Sequence, residues 1–191
     1  MAEFFITGDA EADGLLAREP LALVLGMMLD QQVPMEWAFA SPARLAQRLG
    51  GRLDAAEIAA MDPAELEAAF KERPALHRFP ASMAKRAQEL CRALVDHYEG
   101  RAERVWADVA TGAELLARVR SLPGFGDEKA RIFVALLAKR QGVRPPGWEE
   151  ASAPFSDDLR RSVADADSTA ALEEVRAFKK ARKAVGKGKA D

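Results

Sequence analysis

Residues 122–130 read Leu122-Pro-Gly-Phe-Gly-Asp-Glu-Lys-Ala130 and lie between two segments with helical periodicity. Gly124 and Gly126 permit a tight turn with positive φ angles, and the next helix begins at once. The first N–H groups of that helix have no partner inside it, and they coincide with the positive end of its dipole. We expect this turn to bind a phosphate oxygen through backbone groups, without reading base sequence. The alternative is an ordinary corner between two helices, since short glycine motifs often arise by chance.

The rest of the 191-residue chain is typical of an all-α protein. Ala occurs 39 times and Leu 20 times, against three Ile and three Thr, which favours helices over strands. Pro20, Ser41-Pro42 and Ser82 are typical helix starts, and a last helix is predicted over residues 169–184. Residues 141–158 are rich in Gly and Pro, so we expect a loop there.

The sequence also excludes several classes of protein. Cys91 is the only cysteine, which rules out a disulfide framework, a cysteine zinc site and a four-cysteine iron–sulfur cluster. With only His77 and His97, a histidine metal site is not expected either. No apolar run approaches the length needed to cross a bilayer, and the N-terminus lacks the pattern of a signal peptide. We therefore expect a cytoplasmic protein without a membrane partner.

Charge is distributed unevenly along the chain. Residues 1–40 hold seven acids and one base, whereas residues 176–191 hold seven bases and one acid. A basic end of this kind can attract a phosphate backbone. Composition alone favours the alternative, a solvated helix end followed by a basic tail over residues 185–191.

Three segments together resemble the helix-hairpin-helix (HhH-GPD) DNA glycosylase superfamily, which includes endonuclease III and 3-methyladenine DNA glycosylase II. The first is the Leu122–Ala130 turn. The second, Phe79-Pro-Ala-Ser-Met-Ala-Lys-Arg-Ala87, is similar to the helix that the family places before its hairpin. The third, Leu25-Gly-Met-Met-Leu-Asp-Gln-Gln-Val33, is similar to the helix end where alkylbase glycosylases carry a Gln pair. The resemblance covers roughly residues 20–140.

This resemblance implies an enzyme of base excision repair that flips a damaged or mispaired base out of double-stranded DNA and releases it. Gln31 or Gln32 would fill the gap, with Met27 or Met28 as an alternative apolar wedge. The hairpin, from Leu122 to Lys129, would hold the strand; its predicted DNA-binding residues are Leu122, Gly124, Phe125, Gly126 and Lys129. The Gln pair could instead merely cap the carbonyl groups of its helix.

Members that also nick the strand carry a lysine two residues after the second hairpin glycine. Here Glu128 holds that position and Lys129 follows it, about 100° further around the helix. The departure predicts a monofunctional enzyme that uses water. Glu128 would then lie at the pocket wall and bond the target base, or it could simply be a favourable acid in a first helical turn.

The family also has an essential aspartate about twenty residues beyond the lysine position. Residues 148–150 are Trp-Glu-Glu, so we favour Asp165, which follows an apolar residue and precedes the last helix. An anionic carboxylate near the sugar would stabilise its oxocarbenium character. Asp165 could instead be a helix cap. The rival acids are Glu149, Glu150, Asp157 and Asp158.

The remaining expectations concern the base pocket, bound groups and architecture. Trp37 and Trp148 are candidates to line the base pocket, with Phe39 as a third, although aromatic residues of this kind are more often core residues or loop anchors. The resemblance implies two helical lobes: residues 20–138, with the helix-hairpin-helix at about 112–140, and residues 1–19 with 139–184. It also implies a monovalent cation held by hairpin carbonyl groups, a monomeric protein and a nucleoid location.

Two other functions stay open at this point. A non-catalytic module that binds distorted DNA would keep the hairpin but lack the catalytic pair, which fits Glu128 and the irregular spacing of Asp165. A strand-nicking lyase that uses Lys129 is the least favoured.

Overall fold

The structure is a computed structural model that describes residues 3–186 and residue 188. The described residues form ten α-helices, two short 3₁₀ turns and no strand, so the all-α prediction is confirmed. No described helix is long and apolar enough to cross a membrane. The helices are α1 (Ala10–Arg18), α2 (Pro20–Leu29), α3 (Met35–Arg48), α4 (Ala55–Ala60), α5 (Pro63–Lys71), α6 (Pro80–Tyr98), α7 (Gly112–Arg120), α8 (Asp127–Arg140), α9 (Trp148–Ser152) and α10 (Thr169–Ala184).

Two helices form the centre of the core. Every residue of α2 from Leu21 to Leu29 is buried, and so is every residue of α8 from Ile132 to Ala138. A helix that is apolar on all sides must be covered on all sides. Helices α3 and α6 pack against α2, while α7 and α9 pack against α8.

The N-terminal segment and the last helix meet at one side of this core. The Gln141 side-chain amide donates to the Ala17 carbonyl, and Phe4 and Leu172 line the same cavity of about 650 Å³. Helix α10 also contacts the first turn of α3 through an ion pair between Arg176 and Glu36. The proposed lobe boundaries at residues 19/20 and 138/139 stay a prediction. Most of the predicted basic tail, including Lys187 and Lys189, lies outside the described residues.

Three local predictions were wrong. Helix α3 continues through Pro42, because the Ser41 hydroxyl lies within hydrogen-bond distance of the carbonyls of Trp37 (2.8 Å) and Leu76 (2.6 Å) and donates its proton there instead of capping a new helix. Helix α6 begins at Pro80 rather than near Ser82, since a first-turn proline needs no N–H partner. Residues 141–158 were predicted to be a loop but contain the short helix α9. The residue before this helix, Gly147, has a φ of +79°.

Candidate functional site

The hairpin between α7 and α8 is anchored from inside. The Phe125 N–H donates to the Leu122 carbonyl at 3.1 Å, and both side chains are buried. The Phe125 ring packs edge-on against Phe133 with 5.6 Å between centroids. Leu122 and Phe125 were both predicted to bind DNA. Because their side chains are buried, they can offer only backbone groups to a ligand.

The two hairpin glycines have different environments. A Cβ on Gly124, where φ is +88°, would lie 2.8 Å from Met28 Cγ and 3.0 Å from Arg86 Cδ. A Cβ on Gly126 would meet nothing within 4 Å. Gly124 therefore lets the hairpin pack closely against α2 and α6, whereas Gly126 is exposed immediately before α8 and leaves that helix N-terminus accessible.

The hairpin meets the segment of residues 30–34 between α2 and α3, which we call the Gln turn. Lys129 Nζ donates to the Met28 carbonyl at 2.9 Å, and Gln31 Nε2 donates to the same oxygen at 2.9 Å. Arg86 Nη1 donates to Gln31 Oε1 at 3.0 Å. The Gln31 side chain is thus held at both its nitrogen and its oxygen, and α6 (through Arg86) and the hairpin (through Lys129) meet at this turn.

Gln32 is placed differently. It is exposed and has a φ of +57°, a left-handed conformation that costs a non-glycine residue about 1 kcal/mol or more. It borders a cavity of about 220 Å³ that Phe79 and Arg86 also line. Of the two glutamines, Gln32 is therefore the one whose side chain is available to a ligand.

His77 holds the Gln turn from behind, a role that the sequence did not reveal. Its Nδ1 accepts from the Phe79 N–H at 3.0 Å, so Nε2 carries the ring proton and donates to the Gln31 carbonyl at 2.9 Å. The ring is 1% exposed. Burial, together with the positive charge of Lys129, lowers the pKa of His77 below its ordinary value. The neutral imidazole thus links the Gln turn to the entry of α6.

Asp165 is 3% exposed and has hydrogen bonds to both carboxylate oxygens. Lys139 Nζ donates to Oδ1 at 2.6 Å. Oδ2 accepts from the N–H groups of Arg161 (3.1 Å) and Ser162 (2.9 Å) and from the Ser162 hydroxyl (3.1 Å). The carboxylate therefore closes a capping box around the 3₁₀ turn Val163–Asp165.

The structure does not bring Asp165 and Glu128 together. Glu128 lies in the first turn of α8, is exposed and has no hydrogen-bond partner among the described residues. Lys139, the partner of Asp165, lies eleven residues further along the same helix, a rise of about 16 Å. The two predicted catalytic acids therefore lie toward opposite ends of α8.

A helix begins where the family's aspartate is expected, twenty residues after Glu128. It is α9, whose first turn contains the exposed acids Glu149 and Glu150. The rival acids Asp157 and Asp158 follow it, and Asp157 is paired with Arg161 at 2.6 Å.

The candidate pocket aromatics lie apart from one another. The Trp37 indole N–H donates to the Ala75 carbonyl at 2.9 Å, and its ring centroid is 6.5 Å from that of His77. Trp148 lies against Gly112, at the end of α7 far from the hairpin. Phe39 is fully buried against Gly26 and is a core residue. Of the three, Trp37 is the one near the Gln turn, beside His77.

A family model described as HhH-GPD superfamily base excision DNA repair protein matches residues 25–184. Among solved structures, a non-covalent endonuclease III–DNA complex is 19% identical, with 86% of this chain and 72% of that chain covered and a TM-score of 0.48. A thermostable thymine-DNA glycosylase is 12% identical, with 88% and 75% covered and a TM-score of 0.45. No curated protein matches the chain. Because the family model spans most of its length, the chain belongs to the HhH-GPD superfamily of base excision DNA repair proteins.

Proposed function

We propose that the protein is a DNA N-glycosylase that releases a damaged or mispaired base from double-stranded DNA by hydrolysis. One observation carries the proposal: the hairpin, the Gln turn and the start of α6 meet at one place. There an accessible helix N-terminus and an exposed Gln32 stand beside Arg86 and Lys129. A phosphate site next to a side chain that can enter the base stack is what base flipping requires.

The two glutamines have separate tasks in this proposal. Gln32 enters the gap left by the flipped base, since its amide can bond the unpaired base opposite. Gln31 fixes the turn, because Met28 and Arg86 occupy its amide. The strained φ of Gln32 is maintained by these contacts and by the hydrogen bond from His77 to the preceding carbonyl.

Asp165 is the proposed carboxylate for the sugar cation. Its two oxygens accept hydrogen bonds from four donors, one of them the Lys139 ammonium, and stabilisation of the sugar cation needs a carboxylate held in place. The same donors occupy both oxygens, so contact with the sugar requires the 3₁₀ turn to release one of them. Glu149 and Glu150, which are exposed, are the alternatives that need no such release.

Two observations support hydrolysis by water rather than strand nicking. Glu128 occupies the position of the family's lysine. The Lys129 amine is directed at the Met28 carbonyl, and a Schiff base requires an unprotonated amine that is free to reach the sugar. A hairpin cation remains part of the proposal: the carbonyls of Pro123 and Gly124 accept no hydrogen bond from the described residues and are available as ligands.

The test is base release from duplexes that each contain one lesion: 3-methyladenine, 7-methylguanine, ethenoadenine, hypoxanthine, uracil, or thymine opposite guanine. Abasic sites are counted after alkali with wild-type protein, Asp165→Asn, a Glu149→Gln/Glu150→Gln double variant, and Asp96→Asn as an exposed control on α6. We expect release by wild-type protein and by Asp96→Asn, and none by a folded Asp165→Asn. Loss of base release in the Glu149/Glu150 variant instead would assign the catalytic role to a carboxylate of α9. A borohydride-trapped adduct at Lys129 would overturn the monofunctional assignment.

A second candidate is a non-catalytic module that binds distorted DNA. The full hydrogen bonding of Asp165 and its distance from Glu128 favour it. The same assay separates the two functions. Tight binding to a duplex with an abasic-site analogue, without release from any lesion, supports the module.

A further inference from the structure

The last helix carries a line of positive charge. From residue 175 to residue 186 there are five basic residues and no acid. Four of them recur at three- and four-residue steps and so lie on one side of α10. We call this set the basic stripe: Arg176, Lys179, Lys180 and Lys183.

The stripe begins beside the Gln turn. Arg176 forms an ion pair with Glu36, and Lys179 Nζ lies 3.6 Å from Met35 Sδ. Met35 follows Gln32 by three residues, a length of chain that spans at most about 10 Å. A duplex that receives Gln32 therefore passes close to the middle of α10, where the basic stripe begins.

The members of the stripe differ in what they can contribute. Glu36 already neutralises Arg176, and Lys179 is half-buried, so these two fix the helix on α3. Lys180 and Lys183 are exposed and extend the positive charge away from that contact. The stripe from Arg176 to Lys183 is about 10 Å long, which is comparable to the spacing of a few phosphates along one strand.

We infer that the basic stripe binds the phosphate backbone of the same duplex that the Gln turn and the hairpin engage. Lys180 and Lys183 each neutralise one phosphate. The inference rests on the proposed function only in taking double-stranded DNA as the partner. The basic stripe would not distinguish base sequences, because phosphate contacts position a protein without reading bases.

The test compares the Lys180→Gln/Lys183→Gln variant with a Lys71→Gln/Arg101→Gln control. The control removes the same charge from exposed positions at the end of α5 and just after α6. The affinity for an undamaged duplex is measured over a range of KCl concentrations, and thermal unfolding by circular dichroism confirms that both variants fold. Two lost phosphate contacts lower the magnitude of the log–log salt slope by about 1.8 relative to wild type, with the control unchanged. Equal slopes for variant and control would overturn the inference.

The salt-dependence test of the stripe does not depend on base release. A reduced slope for the Lys180→Gln/Lys183→Gln variant of a protein that releases no base supports DNA binding by the stripe and contradicts the glycosylase proposal. Base release by wild type, with equal slopes for the two variants, supports the glycosylase proposal and contradicts DNA binding by the stripe. A wild-type protein whose affinity for duplex DNA does not depend on salt refutes the stripe directly.

Discussion

Replacement of Asp165 by Asn should destabilise the fold before it affects any reaction. In the native protein Oδ1 accepts from the Lys139 ammonium and Oδ2 accepts three donors, with Asp165 only 3% exposed. An amide has one oxygen and one NH₂ group. If its oxygen faces the backbone donors, its NH₂ group faces the ammonium, and the reverse orientation places NH₂ against those donors. Either arrangement leaves donors facing donors.

The magnitude follows from the ion pair. Removal of one partner of a buried pair costs about 3–5 kcal/mol, because the other charge is left uncompensated. The Lys139 side chain is 14% exposed and keeps its hydrogen bond to the Asp157 carbonyl at 2.6 Å. These two features place the expected loss near the lower end, about 3 kcal/mol of unfolding free energy. For a chain of this size the melting temperature falls by roughly 6–12 °C.

The assay is guanidinium unfolding followed by circular dichroism. Asp158→Asn is the matched control, and Lys139→Met/Asp165→Asn is the rescue, since it removes the uncompensated charge. We expect the double variant to recover part of the loss and the control to unfold like wild type. An Asp165→Asn protein within about 1 kcal/mol of wild type would refute the reasoning, because the carboxylate would then be weakly held. Activity of Asp165→Asn should therefore be normalised to its folded fraction.

Three further predictions concern the hairpin, the core and the Gln turn. Gly124→Ala should lose about 1–2 kcal/mol in the same unfolding assay, whereas Gly126→Ala should stay near wild type, because of these two glycines only Gly124 combines a positive φ with a Cβ contact under 3 Å. Burial raises the pKa of the Cys91 thiol to about 12, so a thiol reagent at pH 8 should label the unfolded chain and spare the native protein; rapid native labelling would contradict this. The lowered pKa of His77 means that the unfolded chain binds the proton first as the pH falls below about 6.5. Urea unfolding should therefore show stability lost from pH 7.5 to 5.5 in wild type and a smaller loss in His77→Gln, and equal losses would count against a neutral buried His77.

Helix ends that depend on neighbouring residues could be predicted from sequence. Asp54 accepts from the Glu57 N–H at 2.9 Å, and Thr111 Oγ1 accepts from the Glu114 N–H at 3.1 Å, and in both pairs the three-residue spacing is visible in the sequence. The predicted last helix, 169–184, has the observed limits. Such ends are set by side chains within one turn, so the information lies in consecutive residues.

The course of α3 could not be predicted in this way. A Ser-Pro pair is typical of a helix start, yet the Ser41 hydroxyl bonds to Leu76, thirty-five residues away in the chain. That partner, together with burial of Phe39 against α2, favours a continuous helix over a new start at Pro42. Tertiary contacts thus override a local signal of moderate strength.

The Gln turn shows the same limit within the site. The sequence placed Gln31 and Gln32 near a helix end but left their roles open. The residues that give the two side chains different environments are remote from them in the chain. Arg86 and His77, fifty-five and forty-six residues beyond Gln31, bind its side chain and its carbonyl. Only their convergence identifies Gln32 as the exposed member of the pair.

Asp165 illustrates how one local pattern can indicate two different roles. An acid that follows an apolar residue and precedes a helix resembles the family's catalytic aspartate, but Ser162 stands three residues before it, which is the spacing of a capping box. A capping box engages the carboxylate with backbone donors, whereas sugar-cation stabilisation needs an oxygen that the substrate can approach. The two roles are compatible only if the 3₁₀ turn opens when DNA binds. A catalytic Asp165 therefore implies that this turn moves during the reaction, and a static turn implies that the carboxylate comes from α9.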